Sequence, residues 1–92
     1  MGDVKPRYSK DEVARRGDAI YQEKILPKLT AKDRGKFLAL DIETGEYEMS
    51  RSEMRAGDRL LARIPEAQIF MVRVGYKALR SFGGRQVRTK LP

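Results

Sequence analysis

The sequence has no cysteine, no histidine and no tryptophan. Without cysteine there is neither a disulfide framework nor a thiolate metal site, which fits a reducing compartment, and a cytoplasmic location is expected. Without histidine the commonest general base and the commonest metal ligand are missing. No apolar run approaches the roughly 18 residues that a membrane-spanning helix requires. The N-terminal stretch MGDVKPRYSK lacks the apolar core of a signal peptide, so no membrane association is expected. The chain also lacks a phosphate-binding loop, a dinucleotide fingerprint, a Ser/His/Asp set and zinc-ligand spacing. An enzyme would have to work with lysine, tyrosine and carboxylates alone; neither catalysis nor a cofactor is expected.

Ninety-two residues allow one domain. A chain of this size buries roughly 60–65% of the surface of its unfolded form, so the core is modest. The net charge of +7 is unevenly spread. Residues 1–66 hold 14 Lys and Arg against 13 Asp and Glu, whereas residues 67–92 hold Arg73, Lys77, Arg80, Arg85, Arg88 and Lys90 against no acid. A segment of one sign attracts phosphates, acidic proteins or anionic surfaces.

Residues 1–8 have no periodicity and are expected to form a flexible arm. Ser9 and Glu12 form a capping-box pattern ahead of a first helix carrying Val13, Ile20, Tyr21 and Ile25. Gly17 lies on the same face and weakens that helix unless a neighbour packs closely against it. Pro27 ends or kinks it. Phe37 to Ile42 is apolar on both parities apart from Asp41, as in a central strand covered on both faces. Glu43-Thr44-Gly45-Glu46 supplies a turn with glycine at a positive φ, and Tyr47 and Met49 alternate with acids on a returning strand. Ser50 and Glu53 suggest a second capping box before a helix whose stripe is Met54, Gly57, Leu61 and Ile64, with Leu60 beside it. Pro65 stops that helix, and Gln68 to Val74 reads as a third strand. Residues 77–92 read as a basic tail or a short extra strand.

These pieces predict an α+β domain over residues 9–76: an N-terminal helix, then a ββαβ unit whose small antiparallel sheet, of order 2-1-3, is packed by helices. The second helix is expected to cover the face carrying Leu38, Leu40, Ile42, Phe70, Val72 and Val74. Phe37, Ala39, Ile69 and Met71 would then need the first helix or a second subunit. The third strand would be an apolar edge, so Phe37, Ile69 and Met71 become a candidate homodimer interface. Asp41 and Arg73 would share that face and could pair.

Asp41-Ile42-Glu43-Thr44-Gly45 after an apolar strand resembles the first motif of DEDD-type exonucleases, in which an Asp and a Glu two apart hold two divalent metals. That family also uses further carboxylates and a later His or Tyr on a longer α/β scaffold. Here the string reads better as a hairpin turn with solvated carboxylates. Asp41, Glu43, Glu46 and Glu48 show no calcium-loop spacing, so no metal is expected. Arg51, Arg55, Arg59 and Arg63 recur every four residues on the second helix, either as a solvated face or as a stripe contacting phosphates. In the tail, Tyr76 and Phe82 interleave with Lys77, Arg80 and Arg85, with Arg88 and Lys90 beyond. Such a segment suits nucleic acid or an acidic groove on a protein equally well.

Gly35 to Tyr76, within a likeness that runs from about Tyr21, resembles a group of small uncharacterised bacterial proteins, largely cyanobacterial. They share a pattern close to GKxxAxDIETGxxE, then DRLLARxPxAQI, then an apolar strand ending RVGY. Members often lie in two-gene, toxin–antitoxin-like arrangements. The resemblance implies a small partner-binding or regulatory component and carries over no catalytic residue. The function expected is therefore a non-enzymatic, antitoxin-like module, homodimeric and engaging a protein partner. The alternative is a nucleic-acid-binding protein using the basic segment and the second-helix arginines, with a metal-dependent nuclease at Asp41 and Glu43 as a remote third.

Overall fold

The computed structural model describes residues 7–79 and 85–88, with side chains through residue 76. The fold is α+β. Helix α1 (Lys10–Ile20) widens into a π turn (Tyr21–Ile25) and tightens into a 3₁₀ turn (Leu26–Lys28). Strands β1 (Phe37–Asp41) and β2 (Tyr47–Ser50) form a hairpin, helix α2 (Glu53–Arg63) follows, and β3 (Ile69–Arg73) returns beside β1. The sheet is antiparallel with order β2-β1-β3. Beyond Gly75, β4 (Tyr76–Leu79) and β5 (Arg85–Arg88) pair as a separate two-stranded ribbon. The basic segment thus contributes two strands where a tail or one short strand was expected.

Local chemistry explains the boundaries. Ser9 accepts a hydrogen bond from the Glu12 N–H at 3.1 Å, but Glu12 turns its own carboxylate to Arg15 and Arg16, so only half of the expected capping box forms. The cap of α2 is Ser52, which accepts from the Arg55 N–H, while Ser50, two residues earlier, accepts from the Ser52 N–H. The complete capping box lies elsewhere, between Thr30 and Asp33 on the 3₁₀ turn Ala31–Asp33. Pro27 falls in the first positions of the tight turn after Ile25, where a missing N–H donor is tolerated.

β1 separates two apolar clusters. Leu38 and Leu40 face Tyr21, Ile25, Leu29 and Val74, with Phe70, Val72, Tyr47 and Met49 packed around them. Ala39 faces Ala56, Leu60 and Ala67, with Phe37, Leu61, Ile64, Ile69 and Met71 around them. The expected packing is therefore exchanged: α2 covers the Phe37 face, and the α1–π–3₁₀ segment covers the Leu38 face. Phe37, Ile69 and Met71 consequently have α2 as their cover, which removes the packing reason for placing a second subunit over them. The buried positions of α2 are Ala56 and Leu60, four apart, whereas Met54, placed in the stripe by its side chain, is 75% exposed.

Candidate functional site

The corner of the β1–β2 hairpin is built from the residues that resemble a nuclease motif. Asp41 is 1% exposed. One of its oxygens accepts from the Gln68 N–H at 3.0 Å and the Glu43 N–H at 3.3 Å, and the other from the Thr44 hydroxyl at 2.9 Å. Gly45, at a φ of +80°, returns its N–H to the Asp41 carbonyl. The aspartate thus ties the turn to the start of β3, and it is buried where solvated carboxylates were expected. Nor does it pair with Arg73. The β1–β3 register sets Asp41 opposite Ile69 and Phe37 opposite Arg73, so the two lie at opposite ends of the strand pair.

Glu43 is engaged by the chain's N-terminal side. Arg7 binds its carboxylate in an ion pair and the Tyr8 hydroxyl donates to it at 3.3 Å, and the Arg7 hydrogen bond holds the acid below its ordinary range. The Arg7 backbone N–H donates to Gln68 Oε1, and Arg16 stacks over the Tyr8 ring at 4.8 Å. Of the expected arm, residues 1–6 lie outside the described residues, and Arg7 and Tyr8 are docked. Among the described residues no three His, Cys, Asp or Glu side chains are grouped to hold a metal ion.

The α2 arginines divide. Arg63 pairs with both Glu46 and Glu48, and Arg59 donates to the Met49 carbonyl at 3.2 Å, so these two fasten β2 to the helix. The Glu48 hydrogen bond, followed by that of Glu46, raises the Arg63 guanidinium above its ordinary value. Arg51 and Arg55 are exposed. Arg80 and Lys90 lie outside the described residues, and Lys77, Arg85 and Arg88 are placed by backbone alone; their register sets Lys77 opposite Val87, Arg88 opposite Tyr76 and Arg85 opposite Leu79.

The third strand forms the sheet edge expected from the sequence, and the cleft beside it is the feature that no sequence pattern singled out. Gln68 O accepts from the Ile42 N–H at 3.1 Å, and the Val74 N–H donates to Lys36 O at 2.8 Å. Alternate residues of a strand turn their backbone groups to the same side, so Phe70 and Val72 also face β1. Ile69, Met71 and Arg73 therefore present N–H and C=O at the outer edge of the sheet. Beside that edge is a cleft of about 420 Å³ between β3 and the start of α1, whose lining includes Tyr8, Val13, Ala14, Ile69, Phe70 and Met71. Ile69 and Met71, expected at a dimer interface, thus line this cleft while packing on α2. The available signal was Gly17, whose missing side chain lets α1 approach β3 closely at Phe70.

Compared with protein-family models, with curated proteins and with solved structures, the chain matches none of them. No helix among the described residues is long and apolar enough to cross a membrane.

Proposed function

We propose that this chain is a non-enzymatic, antitoxin-like binding module that takes an extended segment of a protein partner along the outer edge of β3. The observation that carries this reading is the row of outward backbone groups at Ile69, Met71 and Arg73 beside an apolar cleft. Main-chain hydrogen bonds from an added strand would supply affinity, and the cleft between β3 and α1 would receive its alternate side chains. We place the protein in the cytoplasm. The homodimer expected from the sequence would use the same edge, through antiparallel pairing of two β3 strands, and would compete with the partner.

The test is amide hydrogen exchange on the protein with and without a co-purified partner. Protection of Ile69, Met71 and Arg73 on binding, with the β1 amides unchanged, supports the reading. A partner whose footprint spares these three amides removes it. Sedimentation across a concentration series reads the homodimer separately.

A second reading, nucleic-acid binding, is favoured by the β4–β5 ribbon, which starts at the end of the sheet carrying Arg73. A two-stranded basic ribbon is one of the elements that fits a nucleic-acid groove.

A further inference from the structure

Arg73 is the last residue of β3, and it is held by stacking. Its guanidinium lies 4.3 Å from the centre of the Tyr76 ring and 5.6 Å from that of Phe37. Its Nε is buried, with no hydrogen-bond partner among the described residues. An arginine stacked on aromatic rings is already ordered, so it loses little side-chain freedom when it meets a ligand.

A second guanidinium converges on the same spot. A Cβ built on Gly35 would stand 3.8 Å from Arg51 Nη1 and 4.0 Å from Arg73 Nη2, so these nitrogens are less than about 8 Å apart. Arg34 borders them, donating to the Gly75 carbonyl at 2.8 Å, and Lys36 follows Gly35 directly. The acid of this neighbourhood, Asp33, already accepts from the Thr30 N–H and pairs with Lys36 at 3.2 Å, although it also feels the charge of Arg51. Arginine, arginine and lysine thus outnumber carboxylates around a glycine whose bare surface blocks nothing. Two like charges this close repel each other, and an anion between them relieves the repulsion. A tetrahedral phosphate that accepts at two oxygens, with charge-assisted bonds of about 2.8 Å each, can bridge nitrogens up to about 8 Å apart.

We infer that Arg51 and Arg73, across Gly35 and beside Tyr76, form a phosphate-binding site for the backbone of a nucleic acid. The choice of a nucleic acid as the source of the phosphate rests on the second reading above. β4 begins at Tyr76 itself, so a strand pair whose sequence carries Lys77, Arg85 and Arg88 leaves from this site, whereas a lone phosphate would need no such extension.

The test measures binding of short single-stranded and duplex oligonucleotides by the full chain over a range of salt. Wild type is compared with Arg51→Gln and Arg73→Gln, the fold of each being checked by circular dichroism. Each substitution should weaken binding to all sequences alike. Each should also reduce the slope of log K against log salt by about 0.7–0.9, the loss of one phosphate contact. Arg51 is exposed, so its variant remains informative if Arg73→Gln does not fold. Unchanged slopes with binding intact would overturn the site while leaving the second reading standing. No oligonucleotide binding by wild type would overturn both. Inorganic phosphate is titrated in parallel; binding as tight as the oligonucleotide's would overturn the nucleic-acid assignment in favour of a free phosphate.

Discussion

Gly17 of α1 and Phe70 of β3 touch so closely that position 17 has no room for a side chain. A Cβ there would fall inside the contact radius of the Phe70 ring, which belongs to the cluster around Leu38 and Leu40. The helix tolerates a residue that weakens it because the close approach to β3 requires it.

Gly17→Ala should therefore destabilise the protein, although alanine is the better helix former. Overpacking of this kind costs about 1–3 kcal/mol. Urea denaturation of Gly17→Ala, Phe70→Ala and the double variant checks the assignment. The two effects should be strongly non-additive, because Phe70→Ala removes the Cγ and Cδ1 atoms that the new methyl group would meet. Additive effects would place the cause elsewhere.

Asp41→Ala should be among the most damaging substitutions in the chain. It leaves the buried N–H of Gln68, the N–H of Glu43 and the Thr44 hydroxyl without their acceptor, a loss of about 2–4 kcal/mol. Asp41→Asn keeps one carbonyl oxygen for the two N–H groups, and the Thr44 hydroxyl can turn to accept from the new amide. Its cost should be about 1 kcal/mol. Chemical denaturation separates the two variants; equal, severe losses would show that the charge matters beyond the hydrogen-bond geometry.

Acid should unfold the protein through a small set of carboxylates. Glu43 is held below its ordinary value of 4.5 first by the Arg7 hydrogen bond, Glu12 by that of Arg16, and Asp33 below 3.8 by the Thr30 N–H and then Lys36. A depressed folded-state value gives stability that is present above the unfolded value and lost as pH falls through the folded one. The denaturation midpoint should therefore start to fall as pH drops through the ordinary carboxylate values and continue below them. Arg7→Gln should lower the neutral-pH midpoint slightly and shallow the acid slope. An unaltered acid slope would remove the Arg7–Glu43 pair from the account.

At the alkaline end the sign reverses. Burial raises the Tyr21 phenol above its ordinary 10.0, against a smaller opposing effect from a hydrogen bond with the Gly75 backbone. The contribution is full below the unfolded value and is lost as pH rises through the folded one. Tyr21→Phe should lose about 1 kcal/mol at neutral pH for the missing hydrogen bond, yet decline less steeply above pH 10.0. Parallel alkaline slopes for the two proteins would exclude Tyr21 as the titrating group.

The sequence made the sheet order legible because a tight hairpin, a helix and a returning strand close simply in only one way. The positive φ at Gly45 followed from the turn chemistry. The face covered by α2 was not legible, because β1 is apolar on both parities and so fits either orientation. Ala56 and Leu60 mark the buried side of α2, but alanine carries little weight in a hydrophobic pattern and Met54 carries too much. The widening at Tyr21–Ile25 has no residue signature. The Arg7–Glu43 pair and the approach of Arg51 to Arg73 join residues distant in the chain, so no local spacing announces them. The basic bias of the C-terminal segment was visible, whereas the two-stranded ribbon within it required the backbone.

Leu38, Ala39 and Leu40 are each wholly shielded from solvent, with successive side chains entering opposite clusters. The two halves of the interior therefore share one wall three residues thick. Neither can melt while the other persists, because losing the wall exposes both. For so small a protein this coupling is a source of cooperativity: a single unfolding step, in which the slowest-exchanging amides are those of β1 itself.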